Sequence, residues 1–186
     1  MSGMCSTLAG GLFLAALSVS SQAPTVPPAP SGRFAVVLDA AHGGDDTGGH
    51  SGSWTEKSTT LALSVRLRSL LAARGITVVT TRESDVAMDA ERRAEIANHA
   101  NARACLSLHA SLSGGGNNPG VHLFVSSLAP TTPARFEPWK TVQAASVQRS
   151  LVLAGELNAA LQHAGITVTL GRTALPVIES MACPAV

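Results

Sequence analysis

A histidine set where an apolar run breaks into a glycine-rich loop constrains this chain more than any other feature. Phe34-Ala35-Val36-Val37-Leu38 ends in Asp39, and Ala40-Ala41-His42-Gly43-Gly44-Asp45-Asp46-Thr47-Gly48 follows. Glu56 and Lys57 then open a long helical pattern. Far downstream a second apolar run, Ala104-Cys105-Leu106-Ser107-Leu108, also ends in a histidine, His109. Two imidazoles and one carboxylate, each at a strand end or a helix start, are the ligand types of an open zinc site.

Around these points the pattern reads as an α/β domain. Phe34 to Leu38 is continuously apolar, as in a strand covered on both faces. From Lys57 to Arg74 the period turns helical, with Leu63, Leu67, Leu70 and Leu71 on one face. Gly75 ends that helix, and Ile76 to Thr80 is the next strand. This β-α-β order predicts parallel strands joined by a right-handed crossover. Asp89 is placed to N-cap a helix through Ala100, with Ala90, Ala94 and Ala97 keeping one side slim. Cys105 to Leu108 and Val121 to Val125 are further strands, with a Gly/Asn segment, Ser113 to Gly120, between them. Leu128 to Gln143 has no regular period and reads as a surface excursion containing Trp139. Ser146 to Ala164 is helical, with Leu151, Leu157 and Leu161 on its apolar stripe, and Gly165 stops it. Thr167 to Leu170 is a short strand, and Cys183-Pro184-Ala185-Val186 looks like the start of another.

At 186 residues the chain suits one well-buried domain. With 45% apolar and only 13% charged residues, it is globular rather than disordered. Net charge is +1 with no basic run or aromatic ladder, which argues against a nucleic-acid partner. Residues 1–23 resemble a secretory signal, with an apolar segment from Leu8 to Val19, a small-residue cleavage site after Ala23 and no basic n-region. The other reading, a membrane anchor, has too few apolar residues to span a bilayer comfortably. Residues 24–32, rich in proline, read as a stiff linker into a domain covering 33–186. Cys105 and Cys183 lie in or beside apolar runs and are expected to be buried thiols rather than a disulfide.

The ordered blocks carry a resemblance. His42-Gly43-Gly44 with Asp46, Gly48, Gly52 and Glu56-Lys57 resembles the opening of the zinc-dependent N-acetylmuramoyl-L-alanine amidases, the bacterial cell-wall amidases. Thr81-Arg82-Glu83-Ser84-Asp85, Arg93, Ala97-Asn98 and Leu106-Ser107-Leu108-His109-Ala110 resemble the later blocks of that family, in order and spacing. Ala40-Ala41 departs from the family's usual Pro-Gly, which changes the turn before His42 and removes no ligand. The resemblance implies a single domain with a twisted, mostly parallel sheet flanked by helices. It implies Zn2+ held by His42, Glu56 and His109, and hydrolysis of the amide between N-acetylmuramic acid and L-alanine in peptidoglycan. The signal-like segment implies work in the periplasm or outside the cell, and a monomer is expected.

Amide hydrolysis also needs an acid–base group. In the family this is a glutamate in a C-terminal block, and the resemblance puts it about three residues beyond Val186. The sequence is therefore expected to be a C-terminally truncated copy of the domain, with impaired hydrolysis. Glu179 falls where the family usually has arginine and is not expected to substitute. Asp39 and Asp46 are both candidates to hold the second nitrogen of a histidine, or are solvated loop acids. His50, His99, His122 and His163 are expected at the surface. Arg82, Asp85, Arg93 and Asn98 are expected to make loop-to-helix hydrogen bonds or salt bridges. Two other functions fit the same residues: a non-catalytic, zinc-containing wall-binding module, and a zinc carboxypeptidase-like hydrolase.

Overall fold

Ala35–Ala40 forms strand β1, and all six residues are buried. They are covered from both sides, as continuous apolarity requires. The computed structural model describes residues 34–112, 120–133, 135–136 and 138–186. The signal, the linker and Ser113 to Asn118 with Pro119 therefore lie outside the described residues. All the described residues belong to one unit, Gly32–Val186.

The elements after β1 run in this order: β2 His50–Ser51, β3 Trp54–Thr55, helix α1 Glu56–Ala72, β4 Thr77–Thr80, α2 Ala90–His99 and β5 Ala104–Leu108. Then come β6 Val121–Ser126, a kinked 3-10 segment Trp139–Ala145, α3 Val147–His163, β7 Val168–Thr173 and the short helix α4 Pro176–Glu179. β1 is the centre of a parallel sheet in the order β4-β1-β5, pairing Leu38 with Thr80 and with Leu106. β6 and β7 form a second parallel pair, and β2 with β3 a small antiparallel hairpin. The C-terminal residues run parallel to β5, with Cys105 N–H donating to Pro184 O and Ser107 N–H to Val186 O. The fold is thus mixed α/β, with mostly parallel strands flanked by helices.

Alternation along β1 assigns its two faces. Val36 and Leu38 pack with Leu67 and Leu71 of α1. Val37 points the other way, to Ala94 and Ala97 of α2 and to Ile178 near the C-terminus. The two alanines let α2 lie close to the sheet, as their size predicts, and Asp89 caps that helix by accepting from Arg92 N–H at 2.7 Å.

Four readings from the sequence need correction. On α1 the fully covered positions are Glu56, Thr60 and Ser64, while Leu63 and Leu70 are 41% and 43% exposed. Small polar residues sit against the sheet because Thr60 donates to Ala41 O at 2.8 Å, which a leucine could not do. On α3, Leu153 rather than Leu151 joins Leu157 and Leu161 in packing against β6 and β7. The excursion from Leu128 does not stay outside: Gln143 is fully buried, and its amide donates to Ile178 O, Met181 O and Cys183 O. Finally, Cys105 and Cys183 form a disulfide, with Cα atoms 6.1 Å apart. Residues 184–186 run alongside β5, and that pairing brings the two thiols together.

Candidate metal centre

β1 and β5 are neighbours, so their carboxyl ends deliver His42 and His109 to one edge of the sheet. Open α/β sheets hold ligands at this edge. Glu56 enters from a third direction as the first residue of α1. His42 Nε2 lies 3.1 Å from Glu56 Oε2, and His109 Nδ1 lies 2.8 Å from Glu56 Oε1. The two rings meet edge to face, with centroids 5.3 Å apart. One donor atom from each of the three residues lies within 4.8 Å of the others, and among the described residues this is the cluster able to hold a metal ion. A tetrahedral ion with bonds of about 2.0–2.1 Å places its donors about 3.4 Å apart. The donor types are those of a zinc site, and a spread of no more than 4.8 Å is one that small side-chain shifts can close around a single ion.

Each donor is held from behind. His42 Nδ1 pairs with Asp46 at 2.8 Å, which leaves Nε2 as the inward nitrogen. Asp46 also accepts from Gly48 N–H at 3.0 Å. The bond from His42 and that from Gly48 hold its carboxyl below the ordinary aspartate range. Glu56 Oε2 accepts from Gly49 N–H at 2.9 Å, and Oε1 from Ala110 N–H at 3.1 Å. Burial pushes the Glu56 carboxyl up, but those two amides with His109 and His42 outweigh it, and the net direction is down. Glu56 is thus an anion, ready to bind a cation without first losing a proton.

The backbone beneath His42 is strained and braced. His42 has φ +63, a left-handed conformation costing a non-glycine residue on the order of 1 kcal/mol. Arg82, 4% exposed, donates to Ala40 O and Ala41 O at 2.9 Å and to Lys57 O at 2.7 Å. It ties the end of β1 to the first turn of α1. Burial lowers its pKa from the usual arginine value.

Asp39 and Asp46 are alike in the sequence and unlike in place. Only Asp46 holds His42. Asp39, fully buried, accepts from Thr81 hydroxyl and Arg93 Nε on one oxygen, and from Arg93 Nη2 and Ser107 hydroxyl on the other. It joins the ends of β1, β4 and β5 to α2. Asn98 donates to Ser180 O and accepts from Ala182 N–H, pinning α2 to the C-terminal segment. Arg93 and Asn98 thus make structural contacts, as expected from the sequence. His50, His99, His122 and His163 are all exposed. Glu179 is outside the cluster; its carboxylate faces Leu175 N–H and Ser126 hydroxyl at 3.4 and 3.5 Å. Trp139 is 44% exposed beside Asp89, Glu91 and Arg92. Lys57 stood in the opening block without an assigned role; its ammonium bridges the His42 loop and Asp85.

Comparison with known proteins bears on this geometry. The family model described as N-acetylmuramoyl-L-alanine amidase matches residues 36–185. The chain is 40% identical over 101 residues to N-acetylmuramoyl-L-alanine amidase AmiA of Escherichia coli, covering 52% of this chain and 34% of that protein. It is 34% identical over 93 residues to the germination-specific N-acetylmuramoyl-L-alanine amidase of Bacillus subtilis, covering 42% of this chain and 39% of the other. The matched segment is well under half the length of these relatives. Among solved structures, the catalytic domain of CwlV, an N-acetylmuramoyl-L-alanine amidase from Bacillus (Paenibacillus) polymyxa var. colistinus, superposes with a TM-score of 0.64 at 25% identity. That match covers 82% of this chain and 76% of the other. Ami1 of Mycobacterium smegmatis shares the fold, with a TM-score of 0.64 at 20% identity over 82% of this chain and 79% of its own.

Proposed function

Since the chain belongs to the N-acetylmuramoyl-L-alanine amidase family, we propose that it hydrolyses the amide between N-acetylmuramic acid and L-alanine in peptidoglycan, with zinc held by His42, Glu56 and His109. The observation carrying this reading is the convergence of those three side chains, one donor atom from each within 4.8 Å of the others. When bound, zinc supplies a Lewis acid for the scissile carbonyl and brings the pKa of water to about 7. The protein's share is positional. Asp46 fixes the tautomer and aim of His42, and the amides of Gly49 and Ala110 keep Glu56 ionised and still. Two neutral imidazoles and one carboxylate leave the loaded centre net positive, which stabilises a developing oxyanion.

The reaction also needs a proton carrier for the leaving amine. Glu179, the last residue of α4, turns its carboxylate back to Leu175 N–H and is not part of the three-residue cluster. Export from the cytoplasm belongs to the same reading. It is supported by the Cys105–Cys183 disulfide, a bond that persists in oxidising compartments, and by the apolar segment near the N-terminus. Among the described residues no helix is long and apolar enough to cross a membrane.

Metal analysis tests the centre: one zinc per chain, lost in His109→Ala. Incubation with muramyl peptide tests the reaction, read as new L-alanine amino termini. No new amino termini from the zinc-loaded protein would overturn the reaction. Absence of zinc from well-folded protein would overturn the metal centre itself.

A further inference from the structure

The loop carrying His42 and the helix carrying Glu56 are joined by a polar bridge that touches neither ligand side chain. Lys57 Nζ donates to Gly44 O at 2.6 Å and to Asp85 Oδ2 at 2.7 Å. Asp85 Oδ1 in turn accepts from Gly44 N–H at 2.8 Å. Both polar backbone groups of Gly44 are thus held by one ion pair, and Lys57 is the residue next to Glu56. Gly44 is at φ +60 and packs on Ala87, with no room for a β-carbon: one would lie 2.7 Å from Ala87 N. The loop is therefore pressed onto the segment after Asp85 and fastened there.

We infer that Lys57 and Asp85 are positioning residues that set the affinity of the centre for zinc, by fixing the His42 loop against the start of α1 before the ion arrives. This rests on the zinc reading above. A donor set already assembled binds more tightly than one ordered on binding, because the ordering cost is met during folding. Neither residue belongs to an apolar cluster of the core; Asp85 is 52% exposed, and methionine at position 57 keeps the length of the mostly covered Lys57 stem. Arg82 braces the same loop but is buried, and its removal would confound positioning with folding.

The test titrates zinc into the metal-free full chain against a chromophoric chelator, for the unchanged protein, Lys57→Met, Asp85→Asn and the double variant, with Glu56→Gln as the ligand-loss control. Each single variant is expected to bind zinc about 10–100-fold more weakly, as for other groups that orient metal ligands. Metal-free melting temperatures should stay close to that of the unchanged chain. At saturating Co2+ the visible spectrum should match that of the unchanged protein, since the ligands are the same. The double variant should be no weaker than the weaker single, because the pair acts as one unit. Unchanged zinc affinity in a folded Asp85→Asn or Lys57→Met protein overturns the inference, as does an altered Co2+ spectrum. No zinc binding by the unchanged chain overturns the zinc reading and this inference with it. Binding lost only in Glu56→Gln keeps the first and overturns the second.

Discussion

Gly48 sits at φ +62 with no space beside it: a β-carbon would lie 2.6 Å from His42 Cδ2 and 2.7 Å from Glu56 Oε2. Gly48→Ala should therefore push two donor groups apart and abolish zinc binding at micromolar concentrations while the fold survives, as read by metal content and circular dichroism. Asp46→Asn keeps the shape and loses the charge behind His42, so zinc affinity should fall about 10–100-fold in the same chelator competition. Acid acts at this scale too. The Glu56 carboxyl is lowered in the folded chain, so its contribution to metal-free stability is complete above the unfolded glutamate pKa of about 4.3. It is lost as the pH falls through the lower folded value. Urea unfolding of the metal-free chain and of Glu56→Gln should thus differ fully at pH 6, and the difference should shrink steadily as the pH falls below about 4.3. That His42, Glu56 and His109 converge was legible in the sequence because the histidines follow two apolar runs and the glutamate opens a helical one. Which of Asp39 and Asp46 backs His42 was not. Four residues across a glycine turn and three residues along a strand look equivalent until the turn direction is known.

Among the elements, strands were easier to read than helix faces. β1 and β5 announced themselves by continuous apolarity. The buried side of α1 did not, because Thr60 and Ser64 line it where the helix lies close to the sheet, while Leu63 and Leu70 face outward. The ties between elements were equally hidden. Lys57 and Asp85 are 28 residues apart, and Arg93 and Asp39 are 54 apart, with no period linking either pair. The second tie holds three strand ends to α2 through a carboxylate that water does not reach. Replacing Arg93 with leucine would strand that charge. Breaking a buried pair from one side costs about 3–5 kcal/mol, and urea unfolding of Arg93→Leu should show a loss of this size.

Across the whole molecule, the Cys105–Cys183 bond spans 78 positions and fastens the C-terminal segment to β5, the strand that ends in His109. The sequence hid it because burial and bonding favour the same apolar surroundings. Only the pairing of residues 184–186 with β5 decides between them. A loop of this length stabilises by about 4–5 kcal/mol in the chain-entropy treatment. Cys105→Ala with Cys183→Ala, or reduction of the unchanged protein, should lower the urea midpoint accordingly. The carboxylate of Asp39 has a further bearing on the centre. Both its oxygens already take two donors, so Asp39 is committed to holding strand ends and is not placed to take a hydrogen ion from the centre. His42 is backed by Asp46, which is 66% exposed, and His109 is itself 58% exposed. Protons can therefore pass between these side chains and bulk water directly, without a relay through the sheet.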